Sequence, residues 1–97
     1  MMLDAVGSAR LTPDKPILRV GDELNCSARG NPTPRLAFSP ATTGGRNDED
    51  GGEAWKTMVV PESWKDQVHT VTCTAANELN NETHEVTANA TFKVIGQ

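Results

Sequence analysis

Tyrosine is missing from this 97-residue chain, and aromatic residues make up only 4% of it, as two Trp and two Phe. A core built around packed rings is excluded, so the interior has to be assembled from aliphatic and small side chains. Long apolar runs are missing too. Met58-Val59-Val60 is typical, far short of the roughly 18 consecutive apolar residues that mark a membrane-spanning helix. No direct membrane insertion of this stretch is expected. Positive charge is scarce and scattered, nine Lys plus Arg against thirteen Asp plus Glu for a formal net charge of -4. That excludes the basic stripe on which nucleic-acid binding rests. Cysteine is limited to Cys26 and Cys73, with no close third and fourth ligand to complete a tetrahedral metal site. No cofactor is expected.

What is present fits one small domain, since natural domains cluster near about 100 to 150 residues. The start, Met1-Met2-Leu3-Asp4, lacks the basic region and apolar stretch of a signal peptide. The expectation is a piece excised from a larger, multidomain parent, with residues 1-8 as linker or vector-derived sequence and residues 9-96 as the domain. A chain this short buries only about two-thirds of its unfolded surface, and secreted domains of this size commonly add a disulfide.

Punctuation by Pro13, Pro16 and Gly21 excludes helices of ordinary length in the first third. Leu24, Cys26 and Ala28 then alternate with Glu23, Asn25 and Ser27, a period of two that turns Cys26 toward a core. Gly30-Asn31-Pro32-Thr33-Pro34 reads as a rigid turn, followed by Leu36 and Phe38 as a second inward pair. From Pro40 to Glu53 the composition shifts to Thr, Gly, Asn and acidic residues. No core can be built from it, and a surface loop with at most one short edge strand is expected. Met58 and Val60 point inward again, and Pro61-Glu62-Ser63-Trp64-Lys65 suggests one helical turn with proline in its first position. Alternation resumes with His69, Val71, Cys73 and Ala75 on one side, before a turn at Asn77 to Asn81. The last strand carries Val86, Ala88, Ala90, Phe92 and Val94 in one phase, and its length suggests a bend or bulge. About seven short strands with one inward cysteine early and another late indicate an all-β, two-sheet sandwich.

At this point the residues resemble the immunoglobulin superfamily over nearly the whole chain. Leu24-Asn25-Cys26-Ser27-Ala28 with Gly30-Asn31-Pro32-Thr33-Pro34-Arg35-Leu36 is similar to the B strand and B-to-C turn of I-set and C2-set domains. Val71-Thr72-Cys73-Thr74-Ala75-Ala76-Asn77 is similar to their F strand. Two positions depart from the family pattern: Phe38 stands where its strand-C tryptophan falls, and Val71 where its corner tyrosine falls. Pro61 to Lys65 is instead similar to the E-to-F turn of constant-type domains. The resemblance implies a sandwich of two antiparallel sheets joined by a Cys26-Cys73 disulfide. The competing reading is two buried free thiols, as in cytoplasmic muscle immunoglobulin domains. A bridge closing a loop of about 48 residues restricts the unfolded chain by roughly 4 kcal/mol in the entropy treatment.

Candidate functional residues follow. Asn25-Cys26-Ser27, Asn81-Glu82-Thr83 and Asn89-Ala90-Thr91 are N-glycosylation acceptor triplets, while Asn31-Pro32-Thr33 is blocked by its proline. The period of two turns Asn25 and Asn89 to solvent and places Asn81 in a turn. The acidic run at Asp48, Glu49 and Asp50 resembles the middle of an EF-hand loop, but Arg46 and Thr57 stand where its first and last carboxylates belong. The resemblance to adhesion domains, which present an acidic residue from this region, instead makes it a candidate partner-binding segment, able to complete the metal site of an integrin-like partner, against the plainer reading of a solvated connection. His69 and His84 fall on different strands with no Ser or Cys nucleophile near them in sequence, and both read as ordinary sheet residues. Trp55 and Trp64 are recognition anchors or, on the plainer reading, cover the end of the sandwich.

The resulting expectation is an extracellular protein-binding module from a cell-surface adhesion or recognition receptor, performing no catalysis. Its partner would be another cell-surface receptor or adhesion ligand, including a second copy of itself. The alternatives are a structural spacer, an intracellular muscle or cytoskeletal domain, and a soluble immune effector domain.

Overall fold

The computed structural model describes residues 3-41 and 45-96. Their eight strands are β1 (Ala9–Thr12), β2 (Ile17–Arg19), β3 (Glu23–Arg29), β4 (Arg35–Ser39), β5 (Asn47–Asp50), β6 (Glu53–Val59), β7 (Val68–Leu79) and β8 (Glu82–Ile95), with one 3-10 turn at Glu62–Trp64. They form two four-stranded sheets, ordered β1-β3-β6-β5 and β2-β8-β7-β4. This is the expected two-sheet sandwich with one strand more than expected. Pro13 and Pro16 divide the first extended segment, so that β1 pairs antiparallel with β3 in one sheet while β2 pairs with β8 in the other. The β2-β8 pairing is parallel, the one departure from an antiparallel arrangement among the described strands.

The alternation read from the sequence becomes the core. Leu18, Leu24, Phe38, Met58, Val60, Trp64, Val71, Phe92 and Val94 pack around the Cys26-Cys73 disulfide, which ties β3 to β7 across the sheets. Both sulfur-bearing residues are fully buried. Phe38 stands opposite Cys73 in the β4-β7 ladder and packs in the core beside the bridge. Trp64 comes in from the 3-10 turn, stacks on His69 at 4.2 Å between ring centroids and leans on Phe92 at 6.3 Å.

Two hairpins close on two-residue turns. Gly51 and Gly52 join β5 to β6, and Asn80 and Asn81 join β7 to β8, all four with positive φ, as the right-handed strand twist requires of such turns. The expected turn from Asn77 to Asn81 is therefore shorter: β7 runs on to Leu79, and Asn77 is a buried strand residue. Of the bend or bulge expected in the last strand, the bulge is absent where it faces β7, because β7 and β8 keep one unbroken register from Val68↔Lys93 to Leu79↔Glu82. A polar outer face and a matched partner of similar length let β8 stay regular over 14 residues. The hairpin tip projects past β4, whose pairing with β7 ends at Arg35↔Ala76.

Candidate recognition surfaces

Part of the segment before β1 packs against the sandwich. Asp4 forms an isolated bridge with Asn31, exchanging two backbone hydrogen bonds of 2.8 Å, and Val6 is buried. Asn77 holds the two pieces together. Its Oδ1 accepts from the Val6 N–H (3.1 Å), and its Nδ2 donates to the carbonyls of Asp4 (2.9 Å) and Pro32 (3.0 Å). Gly30 makes room for this amide: a Cβ at Gly30 would lie 2.7 Å from Asn77 Nδ2 and 3.1 Å from the Asp4 carbonyl. Asn77 continues the inward phase of Val71, Cys73 and Ala75, so extending the period of two by one step points to it.

The β4-β5 side has a different character. The sheet holding β4 ends opposite β6, so β5 extends beyond it and all four β5 residues are exposed. Two open depressions of about 280 and 300 Å³ lie along this side, the first lined in part by Phe38, Asn47 and Lys56, the second by Pro34, Leu36 and Glu49. Lys56 lies in the inward phase of Met58, and its Nζ donates to the Leu36 carbonyl on β4 at 3.4 Å. A charged group reaching across an exposed strand edge hinders unwanted strand addition there. Lys56 was also legible in the alternation, two positions before Met58.

The acidic candidates sit on β5, a short edge strand in the Pro40 to Glu53 segment, for which a surface loop with at most one such strand is expected; residues 42-44 lie outside the described residues. Asp48 stands opposite Trp55, Glu49 opposite Ala54 and Asp50 opposite Glu53. Since Ala54 is buried, Glu49 turns to the inner side, while Asp48 and Asp50 turn to the outer face. The three carboxylates do not converge. Asp48 Oδ1 accepts the Glu49 backbone N–H at 2.9 Å, which leaves the outer-face acids as separate exposed charges.

The sequon asparagines occupy three different settings. Asn81 is exposed at the β7-β8 tip, Asn89 is exposed on β8 and accepts the Thr72 hydroxyl proton at 2.6 Å, and Asn25 is half-buried on central strand β3. The tryptophans divide as well. Trp64 joins the core at the end of the sandwich, whereas Trp55 is half-buried in the outward phase of β6. Of the histidines, His69 lies against Trp64 with its Nε2 2.7 Å from Gln67 Oε1, and His84 lies 3.8 Å from Glu82.

No family model matches the chain, and no curated protein matches it. Among solved structures it is similar to a chimeric titin Z1Z2 functionalized with a KLER exogenous peptide from decorin. The two chains share 18% identity with a TM-score of 0.56, over the whole of both. The fold is thus an immunoglobulin-like sandwich with one inter-sheet disulfide.

Proposed function

We propose that this immunoglobulin-like domain is an extracellular protein-binding module, part of the ectodomain of a cell-surface adhesion or recognition receptor. The observation that carries the reading is the outward placement of Asn81, Asn89 and Asn25, the first residues of three acceptor triplets, on a sandwich braced by Cys26 and Cys73. A bridge that persists fits an oxidising compartment, and acceptor triplets on the surface fit passage through the secretory pathway. The domain presents rather than reacts. Its scaffold holds the exposed β5 acids and the projecting β7-β8 tip for a protein partner, since loops and edges on a rigid frame are where such contacts concentrate. Asp48 is the residue assigned to contact, because its carboxylate stands exposed on the outer face of the edge strand β5.

The test is secretion of the chain from eukaryotic cells behind a signal sequence, followed by mass measurement before and after deglycosylation and thiol alkylation. Sugar on at least one triplet and no free thiol support the reading. Bare asparagines and two alkylated thiols overturn it in favour of the intracellular muscle or cytoskeletal alternative. Multimerised domain then scores partner recognition: cell binding that needs a divalent cation and is lost with Asp48→Asn marks an integrin-like partner. Elution that shifts to a dimer at rising concentration marks self-pairing, either with a second copy as the adhesion partner or as the property of the soluble effector alternative.

A further inference from the structure

Asn25 and Trp55 are neighbours on the outer face of the β1-β3-β6-β5 sheet. In the β3-β6 ladder Asn25 stands opposite Thr57 and Trp55 opposite Ser27, so the two residues are diagonal partners. Such pairs lie about 7 to 8 Å apart at Cα and are within reach of an aromatic side chain. Both line one open depression of about 280 Å³, together with Arg46, Asn47, Asp48 and Thr57. Among the described residues no hydrogen bond engages the Asn25 side-chain amide, and Trp55 leaves part of its indole uncovered. A large aromatic on the outside of a sheet, beside a free amide that opens an Asn-Cys-Ser triplet, lacks an occupant of matching shape.

We infer that Asn25 is an N-glycosylation site whose first N-acetylhexosamine stacks on the Trp55 indole, completing the outer face of this sheet. The inference rests on the extracellular reading above. The donor is a lipid-diphosphate-linked oligosaccharide of the secretory pathway. The Asn25 Nδ2 bonds to the anomeric carbon, the bond from that carbon to the diphosphate oxygen breaks, and the lipid diphosphate leaves with the electron pair while the amide gives up one proton. The C–H face of a pyranose suits the electron-rich face of an indole. Covalent attachment at the adjacent residue holds it there at high effective concentration.

The fold also dictates when the transfer takes place. Asn25 is flanked on β3 by both β1 and β6, and the middle residue of its triplet, Cys26, is fully buried in the bridge. The folded strand cannot be drawn out into a transferase site, so the sugar must be added before Cys26 closes on Cys73, 47 residues later in the chain.

The test uses the secreted chain carrying Thr83→Ala and Thr91→Ala, which remove the other two triplets without disturbing Asn81 in its positive-φ turn. Glycans are trimmed to the single protein-linked sugar and compared with the fully deglycosylated protein by mass, by thermal melting and by acrylamide quenching of tryptophan fluorescence. Trp64 is buried, so the quenchable signal belongs to Trp55. Expected are one sugar at Asn25, about twofold weaker quenching when it is present, and a melting temperature about 3 °C higher. Trp55→Thr should abolish the melting difference. A sugar at Asn25 with unchanged quenching and melting overturns the stacking. A bare Asn25 in this variant, with sugar on Asn81 or Asn89 of the unaltered chain, overturns the inference and leaves the extracellular reading intact. Bare asparagines at all three positions overturn both.

Discussion

The two ends of the sandwich are held by different chemistry. One end has the large side chains, Leu18, Leu24, Met58, Val60, Trp64, Phe92 and Val94, closed around the disulfide. The other is a small cluster of Val6, Ala28 and Ala75, with Ala9, Leu36 and Val86 at its margin. Alanine contributes little apolar area, so the second end cannot be kept by burial to the same degree. There the single buried polar residue among those described, Asn77, joins three backbone groups from two chain segments. Where aliphatic volume runs out, directional hydrogen bonds locate the chain.

That contrast is broken most strongly at the bridge. Replacing both cysteines, Cys26→Ala with Cys73→Ala, is expected to lower stability by about 4 kcal/mol, read as a shift of the whole denaturant transition. Asn77→Ala strands the Val6 N–H and the carbonyls of Asp4 and Pro32, with an expected cost of about 2 kcal/mol. The cost should be local: amide exchange at Asp4 and Val6 accelerates while Val71 and Cys73 keep their protection. Uniform loss of protection across the domain would show that the ends are not separate. Because the two sites share no partners, a variant carrying all three changes should show additive costs to within about 0.5 kcal/mol.

Gly30→Ala sharpens the comparison from the opposite direction, by adding an atom where Asn77 already sits. With a contact of 2.7 Å to Asn77 Nδ2, overpacking of about 1 to 2 kcal/mol is expected, measured by the same denaturant titration. Combined with Asn77→Ala the penalty of the added methyl should largely disappear, since the atom it meets is gone. A full penalty in the double variant would place the strain on the Asp4 carbonyl instead.

The strands were legible because burial in a sandwich imposes a period of two, and Leu24, Cys26, Val71, Cys73, Phe92 and Val94 display it without interruption; the bridge was expected from the family resemblance, since the alternation turns both cysteines inward without pairing them. The 3-10 turn was legible from Pro61, and the single edge strand from the composition of residues 40-53. Three things were not read. Asn77 and Lys56 continue the inward phase, but polar residues suggest turns or exposed positions when their partners are distant in sequence; those of Asn77 lie 45 to 73 residues away. The docking of Asp4 and Val6 depends on those same contacts and leaves no local pattern. The regularity of β8 reflects its match to β7, a property of the pair that neither strand carries alone. As for the candidate site, the sequence located Asn25, Asn81, Asn89 and the β5 acids, while the neighbourhood of Asn25 and Trp55 required the β3-β6 register.

The smallest expected effect lies at the β7-β8 tip, which belongs to neither end's core. Asn80 and Asn81 both hold positive φ, at 51° and 67°, and the two-residue turn they form favours glycine at its second position. The β5-β6 turn has glycine there, at Gly52. Asn81→Gly relieves the left-handed backbone but enlarges the freedom of the unfolded chain, so a net gain of about 0.5 kcal/mol is expected in unglycosylated protein. Denaturation of matched samples measures it, and a loss above about 1 kcal/mol would mean that the Asn81 side chain itself supports the turn. The same substitution deletes the Asn81-Glu82-Thr83 triplet. Asparagine tolerates the left-handed conformation better than most residues and can also accept a glycan. At Asn81 one residue therefore serves both the turn and the acceptor triplet, and in secreted protein the glycine variant should lose that sugar while keeping the fold.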